Sequence, residues 1–178
     1  MPEPSAAIKD GEQAEQAQHY VTFCLNDELY AIDALNVQEI IELSSITKVP
    51  HLPGFFKGVI NLRGTIIPVL DLKLKFEMAA EGYKRHTCVI ITEFSGGIMG
   101  LIVDSVSDVL CIPDMSVSRT PSFGARIRTD FIKGMAKAGD NLVIILDVDR
   151  VLSDSEVSFL ADAVPEGQEN AVHGKEIL

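Results

Sequence analysis

The chain repeats itself. Phe55 to Leu72 reads FFKGVINLRGTIIPVLDL, and Phe131 to Val148 reads FIKGMAKAGDNLVIILDV; the two align without a gap at an offset of 76 residues. Phe55, Lys57 and Gly58 match Phe131, Lys133 and Gly134, and Leu70-Asp71 match Leu146-Asp147. Upstream, LYAIDALNVQEII (29–41) aligns with IMGLIVDSVSDVL (98–110) at an offset of 69. Strand composition alone does not produce gap-free identity at Phe, Lys, Gly, Leu and Asp, so the chain holds two copies of one unit of about 65 residues. A unit that small buries too little surface to stand comfortably alone. Two copies packed side by side extend the core and leave a groove between them.

The unit is a β unit. VTFCL (21–25), GVINL (58–62), TIIPVLDL (65–72), TCVIITEF (87–94), IMGLIV (98–103), VLCI (109–112) and NLVIILDV (141–148) are short apolar runs. Asn26-Asp27, Arg63-Gly64, Ser95-Gly96-Gly97 and Gly139-Asp140-Asn141 separate them as turn signals. Many short strands at this spacing predict small barrels of roughly five strands each. Asp33 is placed either to cap a short helix over ALNVQEIIEL or to form a turn leading into a strand. SDSEVSFLADA (153–163) reads as a short C-terminal helix, with Ser153 and Glu156 at capping-box spacing. The predicted body runs from 19 to 163, with a first barrel at about 19–82, a second at about 86–152 and the helix at about 153–163. Residues 1–18 and 164–178 are acidic, aperiodic and rich in Ala, Glu and Gln, and read as disordered tails.

Several functions are disfavoured by composition. A formal net charge of −11 repels phosphate backbones, which argues against nucleic acid and anionic membrane as partners. No apolar run approaches the roughly 18 residues of a membrane span, so no direct membrane insertion is expected. The N-terminus lacks the apolar core of a signal peptide. Cys24, Cys88 and Cys111 form no C-x-x-C pair and lie in apolar runs, as expected of reduced core thiols in a cytosolic protein. The four histidines show no metal-ligand spacing. No nucleophile elbow, Walker loop or dinucleotide fingerprint occurs. Asp71 and Asp147 are repeat equivalents at strand ends and fit a structural turn role better than an acid/base pair.

One residue stands out. In the hairpin GVINLRGTIIPVLDL, Gly64 supplies the positive φ that a tight turn needs, and Arg63 offers the turn nothing of that kind. The second copy closes the same hairpin with Gly139-Asp140-Asn141. The fold therefore does not demand the arginine, and Glu39 is its natural partner. The repeat counterpart of Glu39 is Asp108, whose own copy offers Gly139 where Arg63 would stand.

LYAIDALNVQEI, FKGVINLRGTIIPVLDLK, GLIVDSVSDVL and FIKGMAKAGDNLVIILDVDRVL, in that order and spacing, closely resemble the CheW family of chemotaxis coupling proteins over about residues 18–160. The resemblance implies an all-β fold of two SH3-like barrels and no enzymatic activity or cofactor. It implies a cytoplasmic adaptor, recruited to membrane-associated receptor arrays, that couples chemoreceptor tips to the regulatory domain of the histidine kinase CheA. A regulatory or scaffold module of a non-flagellar CheA-type pathway is the alternative. By match to the family's motifs, Glu39 and Arg63 form a salt bridge important for signalling. Val37 and the position of Cys88 line the receptor groove, Phe123 makes a second kinase contact, and Gly58 and Gly64 serve as structural turn residues.

Overall fold

Runs that are apolar at every position, such as VII in 89–91 and VIIL in 143–146, need cover on both faces. The fold supplies it with two barrels pressed together. The structure is a computed structural model and describes residues 17–119 and 130–163. Ten strands run in chain order: β1 (Ala17–Leu25), β2 (Glu28–Asp33), β3 (Val37–Glu42), β4 (Phe56–Leu62), β5 (Thr65–Asp71), β6 (Cys88–Phe94), β7 (Gly97–Val103), β8 (Ser105–Pro113), β9 (Ile132–Ala138) and β10 (Asn141–Leu146). Three α-helices, α1 (Leu72–Lys75), α2 (Val148–Val151) and α3 (Asp154–Ala163), and two 3-10 turns, Ala34–Asn36 and Asp114–Ser116, join them among the described residues. The expected all-β class, with two five-stranded sheets and a short C-terminal helix, is what forms.

The strand orders are β8-β1-β2-β10-β9 and β3-β6-β7-β5-β4. Replacing each strand by its repeat counterpart converts one order into the other, so the repeat is a two-fold relation of the fold. The repeat segments, about 19–82 and about 86–152, do not coincide with the two sheets. The β1–β2 hairpin of the first repeat joins β8, β9 and β10 of the second, and the β6–β7 hairpin joins β3, β4 and β5 of the first. The exchanged hairpins dock along both edges, β2 on β10 and β7 on β5 in parallel and β1 on β8 and β6 on β3 antiparallel. Chain geometry explains the exchange. Only Asp104 separates β7 from β8; without the exchange β8 would lie on the far side of β6 from β7, two strand spacings or roughly 9.5 Å away, too far for a one-residue link. The chain therefore carries straight on into the other sheet.

Three apolar clusters result. Tyr20, Ala31, Ile112, Ala136, Val143 and Ile145 fill one barrel. Ile60, Ile67, Val69, Val89, Ile91 and Ile102 fill the other. A third cluster lies between the barrels and includes Phe23, Ile32, Leu70, Ile90, Met99, Leu101 and Leu146. Alternate residues of one strand serve different clusters: in β6, Val89 and Ile91 face their own barrel while Ile90 faces the seam. Each large side chain so buried stabilises the fold by about 1.5–3 kcal/mol.

Polar groups fasten the seam. Lys73, nearly buried, places its Nζ 2.7 Å from Asp104 Oδ1, and the Asn26 amide donates to Asp104 Oδ2 at 2.8 Å. The crossover residue thus holds the first helix and the β1–β2 turn together. Asp71 and Asp147 cap α1 and α2: the amides of Lys73 and Asp149 donate to their Oδ1 atoms at 2.9 and 3.0 Å. This is the turn role expected of them. Asp33 caps a 3-10 turn over Ala34–Asn36 that leads into β3, the strand alternative rather than the helix.

The capping box of α3 forms as expected. The Ser153 amide donates to Glu156 Oε1 at 2.8 Å, and the Glu156 amide donates to Ser153 Oγ at 3.2 Å. Lys75 Nζ donates to both Glu156 oxygens at 2.7 and 2.8 Å, which ties the C-terminal helix to α1. Partial burial pushes the Glu156 carboxyl upward, but hydrogen bonds from Lys75 and Ser153 outweigh it and hold the group below its ordinary value. A depressed carboxyl adds stability that is present above its unfolded pKa and is lost as pH falls through its folded pKa. Glu156→Gln should therefore lower stability at pH 7 and shrink the loss of stability on acidification below pH ~4.5, the carboxylate range. Urea titrations of both proteins at neutral and acid pH check this.

Three finer expectations change. The first strand starts at Ala17, inside the segment assigned to the N-terminal tail; the rest of both predicted tails lies outside the described residues. Cys24 and Cys88 are half-buried and Cys111 is exposed, so the thiols are not core groups. Gly58 is not a turn residue. It sits within β4 at φ 140°, where the strand bulges against β5.

Candidate functional site

The β4–β5 hairpin closes through Arg63 and Gly64, both at positive φ (51° and 88°). Asn61 braces the turn from below, its Oδ1 accepting the Gly64 amide at 2.8 Å. Positive φ is uncommon for a side chain of arginine's size. At the same place in the repeat stands Gly139, at φ 64°, where glycine is at ease. The backbone thus holds Arg63 in a conformation that its own repeat assigns to glycine. Arg63→Gly should leave the melting temperature unchanged or raise it, which a thermal melt followed by circular dichroism would show.

What Arg63 touches explains its presence. Nη1 donates to Glu39 Oε1 at 2.9 Å and Nη2 donates to Glu39 Oε2 at 2.7 Å, a two-pronged pair. Glu39 lies on β3 and Arg63 at the tip of β4–β5, and β3 and β4 are the outer strands of their sheet. The pair therefore spans the seam where that sheet curls round on itself. Lower down the same seam, Thr47 and Val59 exchange backbone hydrogen bonds of 2.8 Å. The Glu39 carboxyl is held below its ordinary value, chiefly by the hydrogen bonds from Arg63, and the guanidinium is raised in turn. With the Arg63 side chain 71% exposed, solvent screens the attraction, and the pair fixes geometry more than it adds stability.

Register shows which neighbours share a face. Val37 pairs with Thr92, Ile40 with Ile90, and Glu42 with Cys88, with a bulge between Val37 and Glu39. Val37, Ile40 and Cys88 therefore lie on the face turned toward the seam between the barrels, while Glu39 and Ile41 lie on the opposite face. Val37 and Cys88 are both half-buried against the inter-barrel cluster. They stand four strand positions apart, roughly 13 Å. Ile40, 41% exposed between them, was not among the expected groove residues. Phe123 lies outside the described residues. Among the described residues, no group of His, Cys, Asp or Glu side chains is arranged to hold a metal ion.

Comparison with known proteins decides the family. A family model described as a CheW-like domain matches residues 19–156. The chain belongs to the CheW family. A chemotaxis protein CheW of Klebsiella aerogenes is 36% identical over 143 residues, covering 80% of this chain and 86% of that protein. A chemotaxis protein CheW of Helicobacter pylori is 32% identical over 150 residues, covering 84% and 90%. The crystal structure of the scaffolding protein TtCheW from Thermoanaerobacter tengcongensis superposes with a TM-score of 0.71 at 39% identity, covering 78% of this chain and 90% of that one. In CheW terms the two sheets are the two SH3-like barrels, and the family is one of chemotaxis scaffold proteins. No described helix is long and apolar enough to cross a membrane.

Proposed function

We propose that the protein is a non-enzymatic cytoplasmic adaptor that couples chemoreceptor tips to the histidine kinase CheA and is recruited to receptor arrays at the membrane. The observation that carries this reading is the two-pronged Glu39–Arg63 pair beside a half-buried apolar strip. A receptor tip is an amphipathic helical hairpin, and such a hairpin needs an apolar groove with a few orienting polar groups. Val37, Ile40 and Cys88 supply the apolar strip. Glu39 and Arg63 fix the seam beside it, so that the strip keeps one shape when the hairpin arrives. Phe123, by its match to the family, serves a second kinase contact.

Neither a nucleic acid nor a cofactor has a place in this reading: the chain carries a formal net charge of −11, and docking requires no group beyond side chains. The alternative, a scaffold in a non-flagellar CheA-type pathway, uses the same contacts with a different output. The test is a pull-down with a receptor cytoplasmic fragment and CheA, alone and together. Capture of both partners by the full chain is expected. A chain that binds neither overturns the reading.

A further inference from the structure

The two-fold relation places an unfilled counterpart of the Glu39–Arg63 pair on the other barrel. Asp108 stands where Glu39 stands, at the matching bulge on β8, and Gly139 stands where Arg63 stands, at the tip of β9–β10. The Asp108 backbone is fixed from both sides by buried Thr22. Thr22 Oγ1 donates to the Asp108 carbonyl at 2.9 Å and accepts the Asp108 amide at 2.9 Å. Among the described residues the Asp108 carboxylate has no ion-pair or hydrogen-bond partner. A cleft of about 710 Å³ opens there, lined by Asp108 together with Asp27, Glu28, Leu29 and Leu142 and, among the described residues, by no lysine or arginine. Leu142, on its rim, is 55% exposed.

We infer that this cleft is a docking site for a protein segment that inserts an arginine, supplying from a partner the guanidinium that the first barrel supplies from its own hairpin. Three features select arginine rather than a generic cation. The chain itself displays the occupied state, in which a guanidinium grips a carboxylate with two hydrogen bonds at this position of the fold. Glycine at position 139 leaves the path open, since a Cβ built there meets nothing within 4 Å. The surrounding carboxylates favour a cation, and Leu29 and Leu142 offer apolar cover to a long aliphatic stem. Aspartate is one methylene shorter than glutamate, so the incoming guanidinium sits about 1.5 Å deeper than Arg63 does. The inference concerns the barrel opposite the proposed receptor groove and stands whichever chemosensory partners bind there.

The probe is the tripeptide acetyl-Leu-Arg-Gly-amide, titrated into the full chain and followed by amide chemical shifts, with the citrulline analogue as the neutral control. The arginine peptide should shift Thr22, Asp108, Gly139 and Leu142, and the citrulline peptide should bind at least about tenfold more weakly, the scale of a lost charge-assisted pair. Asp108→Asn should weaken the arginine peptide by a similar factor while leaving the Thr22 contacts in place, because those use only the backbone of residue 108. Gly139→Arg should abolish binding, because its own side chain then occupies Asp108. Equal shifts with arginine and citrulline, shifts centred elsewhere, or undiminished binding by Asp108→Asn would each overturn the inference. If Gly139→Arg proves unfolded, the Asp108→Asn titration decides alone.

Discussion

Arg63→Glu and Glu39→Arg should each abolish receptor-dependent activation of the kinase while the melting temperature falls only slightly. The two side chains meet at a solvated seam, where an unpaired charge keeps its hydration and costs far less than in a core. What the swap destroys is position. Two like charges at the seam push β3 and the β4–β5 tip apart, and Val37 and Ile40 lie on that same β3 strand. The double variant re-forms the pair with reversed polarity and should recover part of the activation. The measurement is a double-mutant cycle on kinase activation in reconstituted receptor complexes. Strictly additive effects would mean that the pair has no coupled role. An unfolded Arg63→Glu protein would make the arginine structural.

The largest effect on stability is expected at Gly58. A Cβ there would stand 2.1 Å from the Thr47 carbonyl oxygen and 2.8 Å from its carbon, at a φ of 140°. Those are backbone atoms held by the two hydrogen bonds with Val59 that close the barrel, so they cannot give way without opening the seam. Gly58→Ala should cost about 3 kcal/mol or more, from overpacking and backbone strain together. That corresponds to a fall in melting temperature of roughly 6–12 °C. Gly64→Ala is the contrast. Its φ is 88°, but a Cβ meets nothing, so strain alone should cost about 1 kcal/mol. Thermal melts of the two variants side by side would check the ranking; equal losses would mean that the close approach at Thr47 is not tight. The repeat preserves the same arrangement. A Cβ on Gly134 would stand 2.7 Å from the Ser118 carbonyl oxygen, and Ser118 and Met135 exchange backbone bonds as Thr47 and Val59 do. The Lys-Gly match in the sequence repeat is thus the trace of a strand passing too close for any side chain.

Much of the architecture was legible because a repeat and a turn residue leave local marks. The tips of all four hairpins fell where Asn26-Asp27, Arg63-Gly64, Ser95-Gly96 and Gly139-Asp140 stand. The Glu39–Arg63 partnership was legible because the second copy shows what an ordinary turn at that place needs. Other features left no such mark. In VQEIIE, Val37 and Ile40 are three apart, a helical spacing, yet they share a strand face because the bulge between Val37 and Glu39 absorbs one residue. VLCI looked like a core strand, but β8 is the outer strand of its sheet, and Val109 and Cys111 face out of it. The hairpin exchange was invisible for a deeper reason. Two copies of one hairpin carry nearly the same pattern, so pattern cannot say which copy pairs with which. The one-residue link at Asp104 decides it, through connectivity.

That exchange makes the protein, in effect, a swapped dimer fused into one chain. Its strand contacts join distant parts of the sequence: Ala17 pairs with Pro113, and Tyr30 with Ile144. Neither half of the polypeptide can finish a barrel on its own, so during synthesis β1 and β2 wait for the last strands to emerge. Long-range pairing of this kind makes folding slow, and it also leaves no route by which one barrel can melt while the other stays whole. A scaffold built this way passes a load on one barrel directly to the other, because the two are interlocked rather than merely touching.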